Sequence, residues 1–212
     1  IGAAEQGYEA ICVNYVGNKA RADQVVAACE AAGAKAIAVQ ADITKEADIN
    51  RMFETVDKEL GTVTHLVNSA GIVGPYARVD ELDNWNALQD LWTINITSTL
   101  VCAREAIKRM STKHGGKGGA IVNLSSAASH LGGAGVNVPY AASKGAVDSM
   151  IQQIDTSLAT SQEADLAALT GGDQTGGQGG GPGLQGLRKG VLGGADGGPG
   201  GTGGAVGKDA NL

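Results

Sequence analysis

Aromatic residues are scarce in this chain. Its 212 residues include two tryptophans, one phenylalanine and four tyrosines, and none lies beyond Tyr140. A packed core must therefore be aliphatic and confined to the earlier part of the chain. Cysteine is scarce too: Cys12, Cys29 and Cys102 are widely spaced and odd in number. That excludes a closed disulfide framework, and no Cys/His grouping has the spacing of a zinc site. No metal is expected. A reduced, cytoplasmic setting is the simplest expectation. Basic residues are outnumbered, 16 Lys and Arg against 22 Asp and Glu, giving a net charge of −6. This argues against nucleic acid or an acidic membrane surface as partner. No apolar run reaches the ~18 residues of a membrane span, and no secretory leader pattern is present. The opening residue is Ile1 rather than methionine, so the natural start is expected to lie upstream.

Glycine is what the chain has in excess, and it is unevenly placed. More than half of its 34 glycines follow Thr170. Ordering so many glycines costs entropy that few apolar side chains can offset, so a disordered glycine-rich tail is expected over 169–212. Before it, short β-branched runs alternate with segments of helical period. AICVNY (10–15), AKAIAVQAD (34–42), THLVNSAG (64–71) and AIVNLSS (120–126) read as strands. Residues 19–32 read as a helix stopped by Gly33. Thr44 is expected to cap a second helix running to Leu60 and ended by Gly61. A long helix is expected from Asp83 to Lys113, and another from Pro139 to 160 or beyond. Strands alternating with helices give an α/β fold over 1–168, a doubly wound parallel sheet in three α/β/α layers. Ligands of such sheets sit at the carboxyl ends of the strands.

Most of the suggestive polar residues fall at those ends. Asn14 closes one strand and Asp42, with Ile43, another. Asn68, Ser69, Ala70 and Gly71 follow the third, and Ser125 and Ser126 the fourth. Tyr140 and Lys144 open the next helix on one face, since positions i and i+4 align. A free tyrosine titrates near 10, too high for a base at neutral pH. A nearby ammonium favours its charged form, so the pair suits proton transfer. Taken alone, the pair also fits an ordinary surface contact, Ser126 a turn, Asp42 a turn, Asn68–Gly71 a turn and Asn95 a plain helix residue. His65, His114 and His130 are expected to be structural or surface residues.

Together and in this order, Asp42-Ile43, Asn68-Ser69-Ala70-Gly71, Asn95, Ser126 and Tyr140-x-x-x-Lys144 resemble the short-chain dehydrogenase/reductase family. The wording is closest to its sugar-dehydrogenase-like and 3-oxoacyl-reductase-like members, over about residues 1–160. The resemblance implies a Rossmann-type fold and hydride transfer between NAD(P) and an alcohol or ketone. It implies Tyr140 as acid/base, Ser126 as donor to the substrate oxygen, and Lys144 as partner of both the tyrosine and the nicotinamide ribose. Asn95 would anchor a proton-relay water. Asn14, Asp42, Ile43, Asn68, Ala70 and Gly71 would line the cofactor. A homo-oligomer, dimer or tetramer, formed through the two long helices is also implied.

Two departures qualify this expectation. Where the family has an opening strand and a glycine-rich phosphate turn, only Ile1-Gly2-Ala3-Ala4 stands ahead of EQGYEA, and that strand is normally central. Its absence leaves the edges of the first and third strands unpaired. The glycine tail stands where the family has further strands and a substrate lid. An incomplete fold with impaired activity is expected, with a catalytically dead interaction subunit as the alternative. NADP(H) is favoured over NAD(H), because the strand ending Val13-Asn14-Tyr15 lacks the acid that binds a ribose 2′-hydroxyl, while Lys19 and Arg21 follow.

Overall fold

A computed structural model describes residues 1–132 and 135–169. The tail expectation falls outside the described residues.

The first strand, β1 (Ala10–Tyr15), forms where Ile11, Cys12 and Val13 interrupt a small-residue background. Asn18 then caps α2 (Lys19–Ala31), its side chain accepting from the Arg21 N–H at 2.9 Å. Gly33, at φ +93°, ends that helix in the left-handed region, as its position predicts. Strand β2 (Lys35–Gln40) lies parallel to β1, with Ala10 opposite Lys35 and Tyr15 opposite Gln40. A short helix precedes all of these, α1 (Gly2–Glu5), and buries Ala4.

Helix α3 (Glu46–Glu59) starts one residue later than the sequence suggests, and Lys45 rather than Thr44 stands at its cap position. The nearer Asp42 carboxylate captures Thr44, accepting from its N–H at 3.1 Å and its hydroxyl at 2.7 Å. Asp48 in the first turn reaches back instead, accepting from the Asp42 N–H at 2.9 Å. Local side-chain to backbone bonds of this kind compete with capping.

Strand β3 (His65–Asn68) pairs in parallel with β4 (Ala120–Asn123). Between them the expected single helix is divided. Asn84 caps α4 (Trp85–Trp92), a widened π-type turn covers Thr93–Thr97, and α5 (Ser98–Met110) follows. The widened turn loosens the regular ladder, and hydroxyls compensate: Ser98 Oγ donates to the Ile94 carbonyl and Thr99 Oγ1 to that of Asn95. A short helix α6 (Ala128–Leu131), unforeseen in the sequence, precedes α7 (Val138–Leu169).

The main core gathers Val39, Ile49, Met52, Phe53, Cys102 and Met110 between the strands and the α3/α5 layer. Each such aliphatic or aromatic side chain contributes about 1.5–3 kcal/mol when fully buried. Arg109 ties α5 to α3 through Asp57 at 2.7 Å and stacks on Phe53 at 5.0 Å. The sheet itself is in two halves. Among the described residues no ladder joins β1 to β3, the separation expected when the central strand is absent. On the face away from α5, Val67 and Val122 are 61% and 51% exposed.

Candidate active site

The turn after β3 and the first turns of α7 meet at Asn95. Its Oδ1 accepts from the Ile72 N–H at 2.8 Å, and its Nδ2 donates to the Ile72 carbonyl at 2.8 Å. The same amide donates to Ser143 Oγ at 3.0 Å, and Ser143 in turn donates to the Tyr140 carbonyl at 2.7 Å. Asn95 and Ser143 are almost wholly buried. The π-type turn places the Asn95 side chain where it can hold three partners at once, a use such turns often serve. Sequence reasoning missed Ser143. It reads as one more small residue in Tyr140-Ala-Ala-Ser143-Lys144, and only its place three residues after Tyr140 hints at an inward face.

Lys144 is buried, with its ammonium 5.7 Å from the centre of the Tyr140 ring. The shared face expected from the i, i+4 spacing is therefore present. The ammonium also donates to the Leu124 carbonyl at 2.7 Å, just past β4. Ser125 Oγ donates back to the Lys144 carbonyl at 3.2 Å, so α7 is stitched to the end of β4 in both directions. Gly71 lies against this group. A Cβ there would stand 3.3 Å from Asn95 Oδ1 and 3.6 Å from Lys144 Nζ. Its backbone face stays open only because the residue is glycine.

Ser126 Oγ accepts from the Ala128 N–H at 3.2 Å at the start of α6. Among the described residues its own hydroxyl proton is uncommitted, which leaves a donor for an incoming oxygen. Asp148 lies one turn beyond Lys144. The hydroxyls of Ser125, then Ser129, hold its carboxyl below the usual range, and His130 approaches to 3.6 Å.

The remaining candidates play mixed parts. Asn14 donates to the Val39 and Ala41 carbonyls at 3.3 and 3.0 Å, locking β1 to the end of β2. Asn68 donates to Asn123 Oδ1 at 2.7 Å, which does the same for β3 and β4. Ile43 packs against the main core. Asp42 is held below the usual carboxylate range by Thr44, then by Lys45. Asn14, Ile43, Asn68 and Ala70 share the border of one cleft between the half-sheets. Burial pushes the Cys12 and Cys102 thiols up to about 11, which removes thiolate chemistry near neutral pH. Among the described residues no group of His, Cys, Asp and Glu could hold a metal ion.

A buried lysine under a tyrosine and a glycine-backed turn thus meet past the ends of β3 and β4, beside an asparagine in a widened helical turn. The short chain dehydrogenase family model matches residues 2–169. The chain belongs to the short-chain dehydrogenases. It is 43% identical over 147 residues to the uncharacterized oxidoreductase YgfF of Escherichia coli, covering 69% of this chain and 59% of that protein. A 3beta-hydroxysteroid dehydrogenase of Mediterraneibacter gnavus is 35% identical over 162 residues, with 76% and 55% covered. Among solved structures, an NAD+-bound xylitol dehydrogenase superposes with a TM-score of 0.67 at 26% identity, covering 74% of this chain and 58% of that one. The chain thus spans less than two thirds of these relatives. The fold is Rossmann-type α/β, and the family is one of oxidoreductases acting on CH–OH groups with NAD(P). No helix among the described residues is long and apolar enough to cross a membrane.

Proposed function

We propose that this chain carries the proton-transfer half of an NAD(P)-dependent alcohol/ketone oxidoreductase, for a sugar, polyol or 3-oxoacyl-type substrate. The observation that carries the reading is the Lys144 ammonium held 5.7 Å from the Tyr140 ring by the Leu124 carbonyl. When bound, the nicotinamide would supply or accept the hydride. Tyr140 would give or take the hydroxyl proton. Ser126 would donate to the substrate oxygen as charge develops on it. Lys144 would favour the charged tyrosine oxygen and hold the ribose hydroxyls. Asn95 would fix the turn at Ile72 and a relay water. Asn14, Ile43, Asn68 and Ala70, on the border of the cleft, would meet the cofactor, with Asp42 at its outer end beyond β2, and the bare backbone at Gly71 leaves room for it beside Lys144.

NADP(H) is the favoured partner. Asn14 stands where an acid would exclude a 2′-phosphate. Arg21 has no ion pair among the described residues, although Lys19 is engaged by Asp23 at 2.7 Å. A homo-oligomer built through the α4/α5 and α7 helices and a cytoplasmic setting belong to the same reading. The split sheet favours impaired activity, and in the extreme a catalytically dead interaction subunit, because half of the cofactor floor lies across the gap.

NADPH fluorescence titration, followed by NADPH oxidation with sugar, polyol and 3-oxoacyl ketones, tests this. The Tyr140→Phe variant should bind NADPH as the parent does and lose roughly 10²–10⁴-fold in turnover. Turnover that survives Tyr140→Phe, or a chain that binds no nicotinamide cofactor, defeats the reading.

A further inference from the structure

The turn that carries Ser126 is closed on itself by short-range bonds. The Ser126 carbonyl accepts twice from Ser129, from its N–H at 3.1 Å and from its Oγ at 2.8 Å. Ser126 Oγ accepts from the Ala128 N–H at 3.2 Å. These bonds shape the turn but do not aim it at Tyr140. The aim comes from α7. Asp148 follows Lys144 by four residues and Tyr140 by eight, so all three share one face of that helix. Its carboxylate lies beside the Ser125 and Ser129 hydroxyls, one on each side of Ser126, and His130 Nε2 stands 3.6 Å from Oδ2.

Packing does not account for that carboxylate. Asp148 Oδ2 is buried and accepts no hydrogen bond. A buried acceptor without a donor is costly, and more so when it is charged. Donors stand close by. Ser125 Oγ donates to the Lys144 carbonyl and Ser129 Oγ to that of Ser126. Neither carbonyl depends on them: one belongs to the ladder of α7, and the other keeps the Ser129 N–H. A charged acceptor holds a hydroxyl about twice as strongly as a neutral one. The charged groups acting on Asp148 are His130 of α6 and Lys144 of its own helix. Residues 120–129 face it with no titratable side chain. Its carboxyl lies below the ordinary 3.8, held there first by Ser125 and then by Ser129, so it stays ionised at neutral pH.

We propose that Asp148 is the positioning residue for Ser126, gripping the turn through Ser125 and Ser129, with the His130 imidazole as a third grip when that ring is charged. Asp148 touches neither substrate nor cofactor. It sets where the free Ser126 hydroxyl points relative to Tyr140, from the helix that also carries Tyr140 and Lys144. The role rests on the functional reading above, since a placed hydroxyl matters to a reaction only where a substrate oxygen reaches it. The grip itself is a property of the fold and can be read without turnover.

The test uses the full chain. Asp148→Asn keeps the shape and removes the charge. Amide exchange at Ala128 and Ser129 should quicken about tenfold in this variant, while Thr99 and Cys102 of α5 hold their rates. In NADPH oxidation with the 3-oxo ester ethyl acetoacetate, kcat should fall about tenfold with NADPH affinity unchanged. Placed on Ser126→Ala, Asp148→Asn should cost nothing further, because one effect runs through the other residue. His130→Gln is a surface change that tests the third grip. Protection at Ala128 should rise in the parent between about pH 8 and pH 5.5, as imidazoles charge, and stay level in His130→Gln. Unchanged exchange in Asp148→Asn overturns the proposal, as does acceleration that spreads equally to α5. So does a turnover loss that persists undiminished on Ser126→Ala, or a parent as level with pH as His130→Gln. A parent without turnover whose Ala128 and Ser129 amides still quicken in Asp148→Asn supports the grip and counts against the functional reading instead.

Discussion

Ser143 Oγ lies 3.0 Å from Asn95 Nδ2, a buried bond that joins α7 to the widened turn ahead of α5 across 48 residues of sequence. Through it the helix carrying Tyr140 and Lys144 is fixed to the Ile72 turn. Neither residue need touch a ligand to matter. They set where the lysine stands relative to the bare backbone at Gly71.

Replacing Asn95 by alanine should be the costlier of the two deletions. It removes one acceptor from the Ile72 N–H and donors to two oxygens, the Ile72 carbonyl and Ser143 Oγ. Leaving buried polar groups unsatisfied costs about 1–3 kcal/mol each. A loss of about 3 kcal/mol is expected for Asn95→Ala and about 1 kcal/mol for Ser143→Ala, read from urea midpoints at constant m. Equal losses would show that the bridge does not carry the turn.

Two neighbouring glycines should behave differently. At Gly118 an added Cβ meets nothing within 4 Å, and only the φ of +87° opposes alanine. At Gly119 the same atom would run into the Thr64 carbonyl and stand 2.7 Å from Met110 Sδ. That carbonyl is the acceptor for Ala120 at the start of the β3–β4 ladder. Gly118→Ala should cost about 1 kcal/mol in backbone strain. Gly119→Ala should cost about 1–3 kcal/mol by overpacking and shift the amide resonances of His65 and Ala120. Thermal melts of the two variants give the order directly.

Glu105 provides a pH test of the α3/α5 layer. Burial pushes its carboxyl up, but Lys108, Arg109 and Arg104 more than offset this, and it lies below its ordinary 4.5. Lys108 stands at 2.8 Å and Arg109 at 3.1 Å. A depressed acid adds stability above its unfolded value and loses it as pH falls through the folded value. Glu105→Gln should therefore be less stable than the parent by about 2 kcal/mol at pH 7. The difference should shrink below pH 4.5, when the parent protonates too. A difference that stays constant down to pH 3 would assign the loss to packing alone.

Legibility of the sequence followed the range of the forces involved. β1 matched its expected bounds, because its apolar run is bordered by turn residues that act locally. The other strands are shorter than their apolar runs: Asp42 turns to a local bond with Thr44, and Ser125 reaches across to the Lys144 carbonyl, 19 residues on. The π-type turn at Thr93–Thr97 left no mark in the helical period, because its cause is a partner, Ile72, 23 residues away. Thr44 was misread for the opposite reason: two acceptors compete within a few residues, and Asp42 is the stronger. The Tyr140/Lys144 geometry was legible because helical spacing alone sets it. The Ser143 bridge was not, because a buried serine and a packing serine look alike in one sequence.

Lys144 is where the structure asks most of a single side chain. Its ammonium donates to the Leu124 carbonyl, lies under the Tyr140 ring and faces Gly71. Lys144→Met keeps most of the stem and removes the charge. It should weaken NADPH binding and turnover together, because one group serves both the ribose and the tyrosine. Tyr140→Phe should damage turnover alone, so the two variants separate the roles. Lys144→Arg should recover cofactor binding better than turnover. A guanidinium keeps the charge, but its planar fork is too large for the space between Leu124 and Gly71 and cannot replace a compact ammonium under the ring. Stability should fall only modestly in Lys144→Met, by about 1–3 kcal/mol, from the Leu124 carbonyl left without its donor. If Lys144→Met binds NADPH as tightly as the parent, while its urea midpoint shifts as expected, the lysine is a structural clamp and the ribose contact must be withdrawn.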